Sequence, residues 1–372
     1  MNYELSIAYQ HLTFNRPQQA IDLLLEAGGA EEIYAHRSNI REICPDASGH
    51  LCAMLNIDWQ PYIKRAEEEI EWCRQKNIRI LIAGTEDYPQ RLLNCVDAPV
   101  VLYYLGNADL NSEHIISVVG TRQSTPYGHD MLHNIITDLQ HLIPDALIIS
   151  GLAYGIDVCS HKEAMAAGLP TVGVVAHGLD TMYPAAHRSI AVKMLKNGGL
   201  LTEYTSRTKG DRQNFLRRNR IVAGISDCTI IAESMAHGGS LVTARIANDY
   251  NREVFAIPGR ISDKASEGCN ALIRDSKAHL LTSAQDIIDM LGWHTVQEKD
   301  DIRNAGIQTS LFVDLTPDQQ KIANVLKDQD LQLNIISMKT MLPINAVTSL
   351  LFQMEMKGYV KAFAGGTYHL CL

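Results

Sequence analysis

The chain has 372 residues, enough for two or three domains with a sizeable core, and its 46% hydrophobic and 20% charged residues are typical of an ordinary globular protein. Eight scattered cysteines without a Cys-x-x-Cys pair predict neither a zinc site nor a disulfide framework, and a reducing compartment is the simplest interpretation. The formal net charge is -9, so a basic segment stands out on this chain.

The first 75 residues are predicted to be helical. Pro17 begins a short helix that Gly28 and Gly29 close, and a longer helix with apolar residues at helical spacing follows Pro61. The N-terminus lacks a signal-peptide pattern, and no apolar run approaches the roughly 20 residues of a membrane span. We therefore expect a small N-terminal helical domain over residues 1–75, in a cytoplasmic protein without membrane contacts.

From residue 78 onwards, short β-branched runs alternate with helical patterns. The runs include IRILIAG, IISVVG, ALIIS, TVGVVA and CTIIAES. Continuous apolar strands between helices predict a parallel sheet that is covered on both faces. We therefore predict an α/β domain with a doubly wound, mostly parallel sheet over residues 76–293. In such sheets a ligand binds beyond the carboxyl ends of the strands.

Five loops that follow these strands are rich in glycine or basic residues. They are Gly120-Thr121-Arg122 and the segments 150–157, 177–188, 205–224 and 235–244. Glycines allow a ligand to approach the backbone, and helix N-termini direct N–H groups towards phosphate oxygens. Several such loops in register indicate a string of phosphates rather than a single one.

The segment 205–224 reverses the charge of the chain. Its basic residues are Arg207, Lys209, Arg212, Arg217, Arg218 and Arg220, with Asp211 as its one acid. If the segment forms a helix, Arg217 and Arg220 project to the same side, and we expect both to contact phosphates. Asn219 then falls on the apolar stripe, where we expect its amide to hydrogen-bond with the neighbouring backbone. Such a run is also typical of a solvated helix face, but charge beside Phe215 favours single-stranded nucleic acid. Arg218 points towards Val222 and is the arginine least expected to bind.

The familiar sequence signatures of catalysis are absent. There is no GxxxxGK[ST] phosphate loop, no HExxH motif and no nucleophile beside a base, so we predict no enzyme, no cofactor and no metal. Asp157 is interpreted as a helix N-cap, and Glu233 as a partner of the Asn219 region or of an arginine. Three loop histidines are interpreted as surface residues: His177, His187 and His237.

The end of the chain predicts a further domain. Residues 294–314 are polar and without periodicity, which indicates a linker. Three helical patterns and a hairpin over residues 315–372 predict a winged helix. The exposed residues of its third helix would be Asn345, Thr348, Ser349, Gln353 and Lys357. Because they are poor in charge, contact with protein is favoured over contact with DNA.

Six motifs stand in a fixed order: VVGTR, SGLAYGID, NFLRRNRIVAG, ESMAHGGSLVTA, VFAIPG and GCNALIRDSKA. Together they resemble the DNA-processing protein A family, also called DprA or Smf, over residues 78–293. The resemblance implies a Rossmann-like core. It also implies an N-terminal helical domain, of a SAM or helix-hairpin-helix kind, and a C-terminal winged helix.

The resemblance also implies a function. Family members bind single-stranded DNA, form homodimers and deliver the DNA to the RecA recombinase in natural transformation. They protect incoming strands and displace single-strand-binding protein. The implied DNA contacts are Arg122, Arg212, Phe215, Arg217, Asn219, Arg220, Gly239, Ser240 and Thr243, to which we add Lys209 and Arg188. Leu216 departs from the proline that usually follows the phenylalanine, and Cys269 stands where the family has serine.

An enzyme is the alternative interpretation. Rossmann-like relatives include phosphoribohydrolases, which cleave the base–ribose bond of nucleotides and carry the motif PGGxGTxxE. Here the loop reads HGGSLVTA, and the position of the glutamate is not acidic. Release of free base from nucleoside monophosphates would reveal such an enzyme.

Overall fold

The structure, a computed structural model, describes residues 2–298, 315–327, 329–363 and 367–371. The chain divides into two compact units, Met1–Trp293 and His294–Leu372. From residue 299 onwards, the predicted linker lies outside the described residues. The finer division into a separate N-terminal domain stays a prediction.

Five helices open the first unit: α1 (Tyr3–Thr13), α2 (Pro17–Ala27), α3 (Ala30–Ala35), α4 (Gly49–Leu55) and α5 (Gln60–Gln75). Their ends follow local rules. Asn2 caps α1, because its side chain accepts a hydrogen bond from the N–H of Leu5, and Gly28 ends α2 in the left-handed conformation. The rings of Tyr9 and Trp59 stack in the core of these helices, with centroids 6.2 Å apart. The predicted start and end of α2 are confirmed.

The side chain of Gln10 joins α1 to the sheet. Its amide nitrogen donates to the carbonyl of Glu203 at 3.0 Å, and its amide oxygen accepts from the N–H of Val101 at 2.5 Å. Gln10 is buried, so both backbone groups are satisfied by this one side chain rather than by water.

A nine-stranded sheet forms the rest of the first unit. Its strands are β1 (Arg79–Ile82), β2 (Val101–Gly106), β3 (Ile115–Val119), β4 (Leu147–Ser150), β5 (Thr171–Val174), β6 (Gly198–Thr202), β7 (Cys228–Ile231), β8 (Glu253–Ala256) and β9 (His279–Leu280). Strands β3 to β9 run parallel, and the antiparallel pair β1–β2 lies against β6. The prediction of a Rossmann-like, doubly wound, mostly parallel sheet is confirmed.

Helices lie between these strands, and one more follows the last strand. They are α6 (Gln90–Leu93), α7 (Pro126–Leu142), α8 (Ile156–Ala167), α9 (Arg188–Met194), α10 (Arg212–Gly224), α11 (Ser240–Asp249), α12 (Glu267–Arg274) and α13 (Ala284–Leu291). The spatial order of the strands is β1-β2-β6-β5-β4-β3-β7-β8-β9. The chain therefore winds outwards from β3 to β6, returns beside β3 at β7 and continues the other way. The loops after β3 and β7 diverge at this switch point, which is where open α/β sheets bind ligands.

A buried histidine links α8 to β5. Nδ1 of His161 lies 2.7 Å from Oγ1 of Thr171, whose hydroxyl donates to the carbonyl of Ile148 at 2.9 Å. The hydroxyl therefore accepts the N–H of the imidazole. Nε2 of His161 is buried without a hydrogen-bond partner among the described residues. Burial lowers the pKa of His161 from 6.5 to about 3.

This histidine predicts a loss of stability in mild acid. The unfolded chain binds a proton near pH 6.5, whereas folded His161 stays neutral down to about pH 3, so stability falls as the pH decreases below 6.5. We expect this residue to remove about 1 kcal/mol of the free energy of unfolding between pH 7 and about pH 5.5. Urea unfolding of wild type and of His161→Gln at both pH values measures it, and equal pH dependence of the two proteins would contradict it.

Between residues 315 and 371, the described part of the second unit folds into three helices and a small sheet. The elements are α14 (Pro317–Leu326), β10 (Leu331–Gln332), α15 (Leu333–Thr340), α16 (Ile344–Met356), β11 (Val360–Phe363) and β12 (Thr367–Leu370). The strands are antiparallel in the order β10-β12-β11. Ile322, Val347 and Leu351 are buried in its core. The assignment as a winged helix stays a prediction.

Helix α16 exposes the five residues predicted for the third helix of this unit: Asn345, Thr348, Ser349, Gln353 and, at its C-terminal end, Lys357. Among the described residues no single helix is long and apolar enough to cross a membrane. In the part of the chain that the structure describes, one pair of helices, α15 and α16, together reaches that length and composition, and the pair is bent by 110°.

Candidate nucleic-acid interface

A cavity of about 560 Å³ lies at the switch point of the sheet. Its walls come from the loops after β3, β4 and β7, from α10 and from the start of α11. Lining residues include Gly120, Arg122, Asp157, Phe215, Arg218, Asn219, His237, Gly239, Ser240 and Thr243. The sequence predicted a site in these loops because the carboxyl ends of parallel strands share one edge of a sheet.

Glu233 holds the loop after β3 in place. Its carboxylate accepts the N–H of Thr125 at 2.8 Å and the hydroxyl of Thr125 at 2.5 Å, and Thr125 caps α7. A Cβ on Gly128 would lie 2.5 Å from this carboxyl group. The start of α7 can therefore lie this close to Glu233 only because residue 128 is a glycine. The predicted partner of Glu233, Asn219 or an arginine, was wrong. The start of α7 takes that place and leaves Arg122 exposed at the tip of the loop.

Arg218 and Asp157 form the floor of the cavity. Nη1 of Arg218 donates to the carbonyls of Gly151 and Val174, and the whole side chain is buried. Burial raises the pKa of Asp157, while the charge of Arg218 opposes that rise. Arg218 therefore points to the ends of β4 and β5, not towards Val222 as predicted.

Asp157 does not cap α8, which was the prediction. Gly155 is the N-cap, with a φ of 76°, and a Cβ there would lie 2.2 Å from the carbonyl oxygen of Thr121. Only glycine fits this close approach. Asp157 lies in the first turn instead, where its carboxylate turns back to accept the N–H of Ala153 at 3.4 Å.

An aromatic and basic rim borders the cavity. The guanidinium carbon of Arg122 lies 5.8 Å from the ring centroid of Phe215, and the ring centroids of Tyr183 and Phe215 are 5.4 Å apart. Lys209 and Arg212 are exposed on the segment that leads into Phe215. We call Arg122, Tyr183, Lys209, Arg212 and Phe215 the rim. It combines cationic charge with aromatic faces, as proteins that bind single strands do.

Arg188 is exposed at the start of α9 but does not line the cavity. It remains a predicted contact, next to the rim loop that carries Tyr183.

Arg220 faces the protein interior rather than a ligand. Its Nη2 lies 2.5 Å from Oε2 of Glu203, Asp97 is a second anionic partner, and both Arg220 and Glu203 are buried. Burial opposes the charge, but Glu203 and Asp97 outweigh it and raise the pKa of Arg220. The structure thus places Arg220 in a buried ion pair and not on the exposed surface where the sequence predicted a phosphate contact.

Arg217 is shared between the surface and the N-terminal helices. Its guanidinium carbon lies 4.3 Å from the ring centroid of Phe14, and it donates to the carbonyl of Phe14 at 3.0 Å and to Oδ1 of Asn15 at 3.2 Å. The side chain is half-buried. Arg217 and Arg220 thus do project to one side of α10, as predicted, but that side packs against protein.

The remaining predicted residues line the cavity wall. The side chain of Asn219 has no hydrogen bond among the described residues, so it does not organise the backbone as expected. Ser240 is buried and donates to Oγ of Ser234 at 2.9 Å. Gly239 is the N-cap of α11 and Thr243 is buried in its first turn. The start of α11 therefore directs a positive helix end towards the cavity.

Residues 79–292 match the family described as DNA recombination-mediator protein A. The chain belongs to this family. It is 32% identical over 318 residues to the Smf protein of Escherichia coli strain K12, covering 82% of this chain and 81% of that protein. It is 38% identical over 201 residues to the DNA processing protein DprA of Streptococcus pneumoniae, covering 54% of this chain and 70% of that protein.

Two solved structures of DNA processing protein A resemble this chain. The Streptococcus pneumoniae crystal structure superimposes with a TM-score of 0.57 at 30% identity, over 73% of this chain and 97% of that one. The Helicobacter pylori structure, which concerns a unique single-stranded DNA binding mode, gives a TM-score of 0.53 at 28% identity, over 58% of this chain and 97% of that one. The resemblance drawn from the six motifs is confirmed.

Sequence reasoning missed three positions in this DNA recombination-mediator protein A fold. Tyr183 was not predicted as an aromatic neighbour of Phe215. His177 and His187 were interpreted as surface residues, but both are buried because their loop folds back over the strand ends. Nδ1 of His177 lies 2.9 Å from the carbonyl of Gly178, while its Nε2 accepts the N–H of Tyr183 at 3.1 Å. His177 thereby positions Tyr183, whereas His237 is exposed as predicted.

Away from the cavity, Glu113, His114 and Asp145 lie close enough together to hold a metal ion. They precede β3 and β4 and therefore occupy the opposite edge of the sheet. Nδ1 of His114 is within 3.3 Å of Asp145, which accounts for the arrangement without an ion.

Proposed function

We propose that this chain is a recombination mediator that binds single-stranded DNA along the rim of the switch-point cavity. The observation that carries the proposal is the half-buried ring of Phe215, which contacts both Arg122 and Tyr183 on a chain whose formal net charge is -9. Bases of any sequence stack on such rings, and cations beside them neutralise phosphates. Membership of the family and the DNA-bound mode of the Helicobacter pylori relative support it.

The proposed contacts differ in kind. Arg122, Arg188, Lys209 and Arg212 are exposed cations for phosphates, and Phe215 with Tyr183 provides stacking faces. The amide of Asn219 and the start of α11 at Gly239, Ser240 and Thr243 line the cavity behind them. Arg217 is proposed as a contact that a strand would share with Phe14.

The proposal also covers the role of the protein in the cell. We propose that the protein acts in the cytoplasm as a homodimer, protects incoming strands, and loads RecA in place of single-strand-binding protein during natural transformation. We also propose that it acts without catalysis, because the loop HGGSLVTA lacks the acidic residue of the phosphoribohydrolases. Filament formation by RecA on strands coated with single-strand-binding protein, with and without this chain, tests the loading step.

A salt titration tests the central proposal. Four exposed cations predict that log affinity for an oligonucleotide falls against log salt with a slope of about -3, at about 0.7 per phosphate neutralised. We expect about a 50-fold loss of affinity between roughly 50 and 200 mM salt, measured with a fluorescent single strand. A flat response, or equal affinity for a duplex of the same length, would overturn the proposal.

The variant Arg122→Gln assigns one of these contacts. Its salt slope should be smaller by about 0.7, by the same amount for every base sequence, because a phosphate contact carries no sequence information. Arg74→Gln is the matched control, since Arg74 is an exposed arginine of α5 paired with Glu71.

A further inference from the structure

The loop from β6 to α10 has a buried half and an exposed half. Thr205 and Ser206 are buried, whereas Arg207, Lys209 and Gly210 are exposed. Between the halves the chain turns at Arg207, whose φ of 70° lies in the left-handed region that residues other than glycine rarely adopt. The neighbouring structure must therefore hold this turn.

Two residues of α5 bind every polar group of Ser206. The Glu69 carboxylate accepts the backbone N–H of Ser206 at 2.7 Å and its hydroxyl at 2.5 Å. Nη2 of Arg65 donates to the carbonyl of Ser206 at 2.9 Å and to its Oγ at 3.0 Å. Arg65 and Glu69 also bind each other, with Nη2 2.7 Å from Oε2. Because they are four residues apart on α5, they project from the same face.

Stability alone is a poor account of this pair. The Glu69 side chain is 1% exposed, and Nη1 of Arg65 is buried without a hydrogen-bond partner among the described residues. A buried ion pair with an unsatisfied donor contributes little net stability, because desolvation offsets its attraction. What the pair does achieve is a fixed position for Ser206, the residue before the turn.

The exposed half of the loop has attachments of its own. Nη1 of Arg207 donates to Oε2 of Glu68 on α5 at 3.2 Å, and both of these side chains are exposed. Asp211 caps α10 by accepting the N–H of Asn214 at 2.8 Å, and Nδ2 of Asn214 donates to the carbonyl of Lys209 at 3.2 Å. The carbonyl of Thr208 accepts the N–H of Gly178 at 3.0 Å. An exposed ion pair such as Arg207–Glu68 holds a loop only weakly. Ser206 and Glu69 are buried, so the direction in which Lys209 leaves the turn depends mainly on Ser206.

We propose that the Arg65–Glu69 pair of α5 is a positioning device that fixes the basic loop of the rim by holding Ser206. This inference rests on the proposed binding of single-stranded DNA. It gives the N-terminal helices a role in binding although they carry none of the rim residues.

The test is Glu69→Gln in the full chain, with Glu71→Gln as control. The control makes the same change at an exposed residue of α5. In Glu69→Gln we expect trypsin to cleave after Arg207 and Lys209 at least about tenfold faster, because cleavage follows local opening. At about 0.1 M salt, affinity for a single strand should fall about 5- to 25-fold and the salt slope by about 0.7 to 1.4, as for one or two lost phosphate contacts.

A paired variant, Lys209→Gln with Arg212→Gln, separates the two proposals. If this variant binds single strands as tightly as wild type does, the proposed binding of DNA along the rim is wrong. If it weakens binding and folded Glu69→Gln does not, the positioning role alone is overturned. A lower affinity of Glu69→Gln with an unchanged salt slope would also overturn the positioning role, because general destabilisation removes no phosphate contact.

Ser206→Ala decides the matter if Glu69→Gln does not fold. It removes the hydroxyl shared by Glu69 and Arg65 and leaves their ion pair intact. Faster tryptic cleavage in the loop with a reduced salt slope supports the positioning role, and wild-type behaviour in both measurements overturns it.

Discussion

Arg220→Met is expected to lower the free energy of unfolding by about 3–5 kcal/mol, because it leaves the Glu203 carboxylate buried without its partner. Glu203 is 3% exposed, its pKa is already raised by burial, and Arg220 is the main opposing charge. The cost arises from the uncompensated charge rather than from the lost hydrogen bond alone. Urea unfolding of the full chain, followed by circular dichroism, measures it.

The double variant Arg220→Met with Glu203→Leu is the matched control. Removing both charges together often costs little, so most of the stability should return. A singly substituted Arg220→Met protein that is as stable as wild type but binds single strands weakly would contradict the structural role. It would restore Arg220 as a phosphate contact.

Phe215→Ala is expected to weaken binding of single-stranded DNA by about 1–3 kcal/mol, or roughly 5- to 150-fold, which is the effect of removing one base-stacking ring. The salt slope should stay unchanged, because no phosphate contact is lost. This separates Phe215 from its neighbour Arg122, whose replacement changes the slope. Titration of labelled oligonucleotide at several salt concentrations gives both quantities at once.

Two further variants sharpen the Phe215 experiment. Phe215→Tyr keeps an aromatic face and should retain most of the affinity, whereas Phe215→Leu keeps apolar volume and should not. Phe352→Ala removes a 63% exposed phenylalanine of the second unit. If Phe352→Ala lowers the affinity for single-stranded DNA as much as Phe215→Ala does, the assignment of base stacking to Phe215 of α10 is contradicted.

The sheet and the place of the site follow from short-range patterns. Apolar runs such as those of β3 and β7 are buried on both faces, which in sequence predicts parallel strands between helices. Their carboxyl ends meet at one edge, so the glycine-rich loops were expected to converge. Arg122, Phe215 and Gly239 all line the resulting cavity.

The roles of individual arginines depend on partners far along the chain. A helical projection gives the direction of Arg217 and Arg220 from the axis of α10 but not what covers that side. Phe14 is 203 residues from Arg217, and Asp97 is 123 residues from Arg220. Asp157 shows a related limit, because its N-cap interpretation used local pattern and missed the contact between Gly155 and Thr121.

The hydrogen bonds of Gln10 make the sheet depend on the opening helices. One side chain of α1 completes the hydrogen bonding of two distant points of the sheet, at Val101 and Glu203. A descendant that discarded the opening helices would expose both backbone groups. It would also lose the partners of Arg217 and Ser206. A shortened form of this chain would therefore need other partners for these sheet groups.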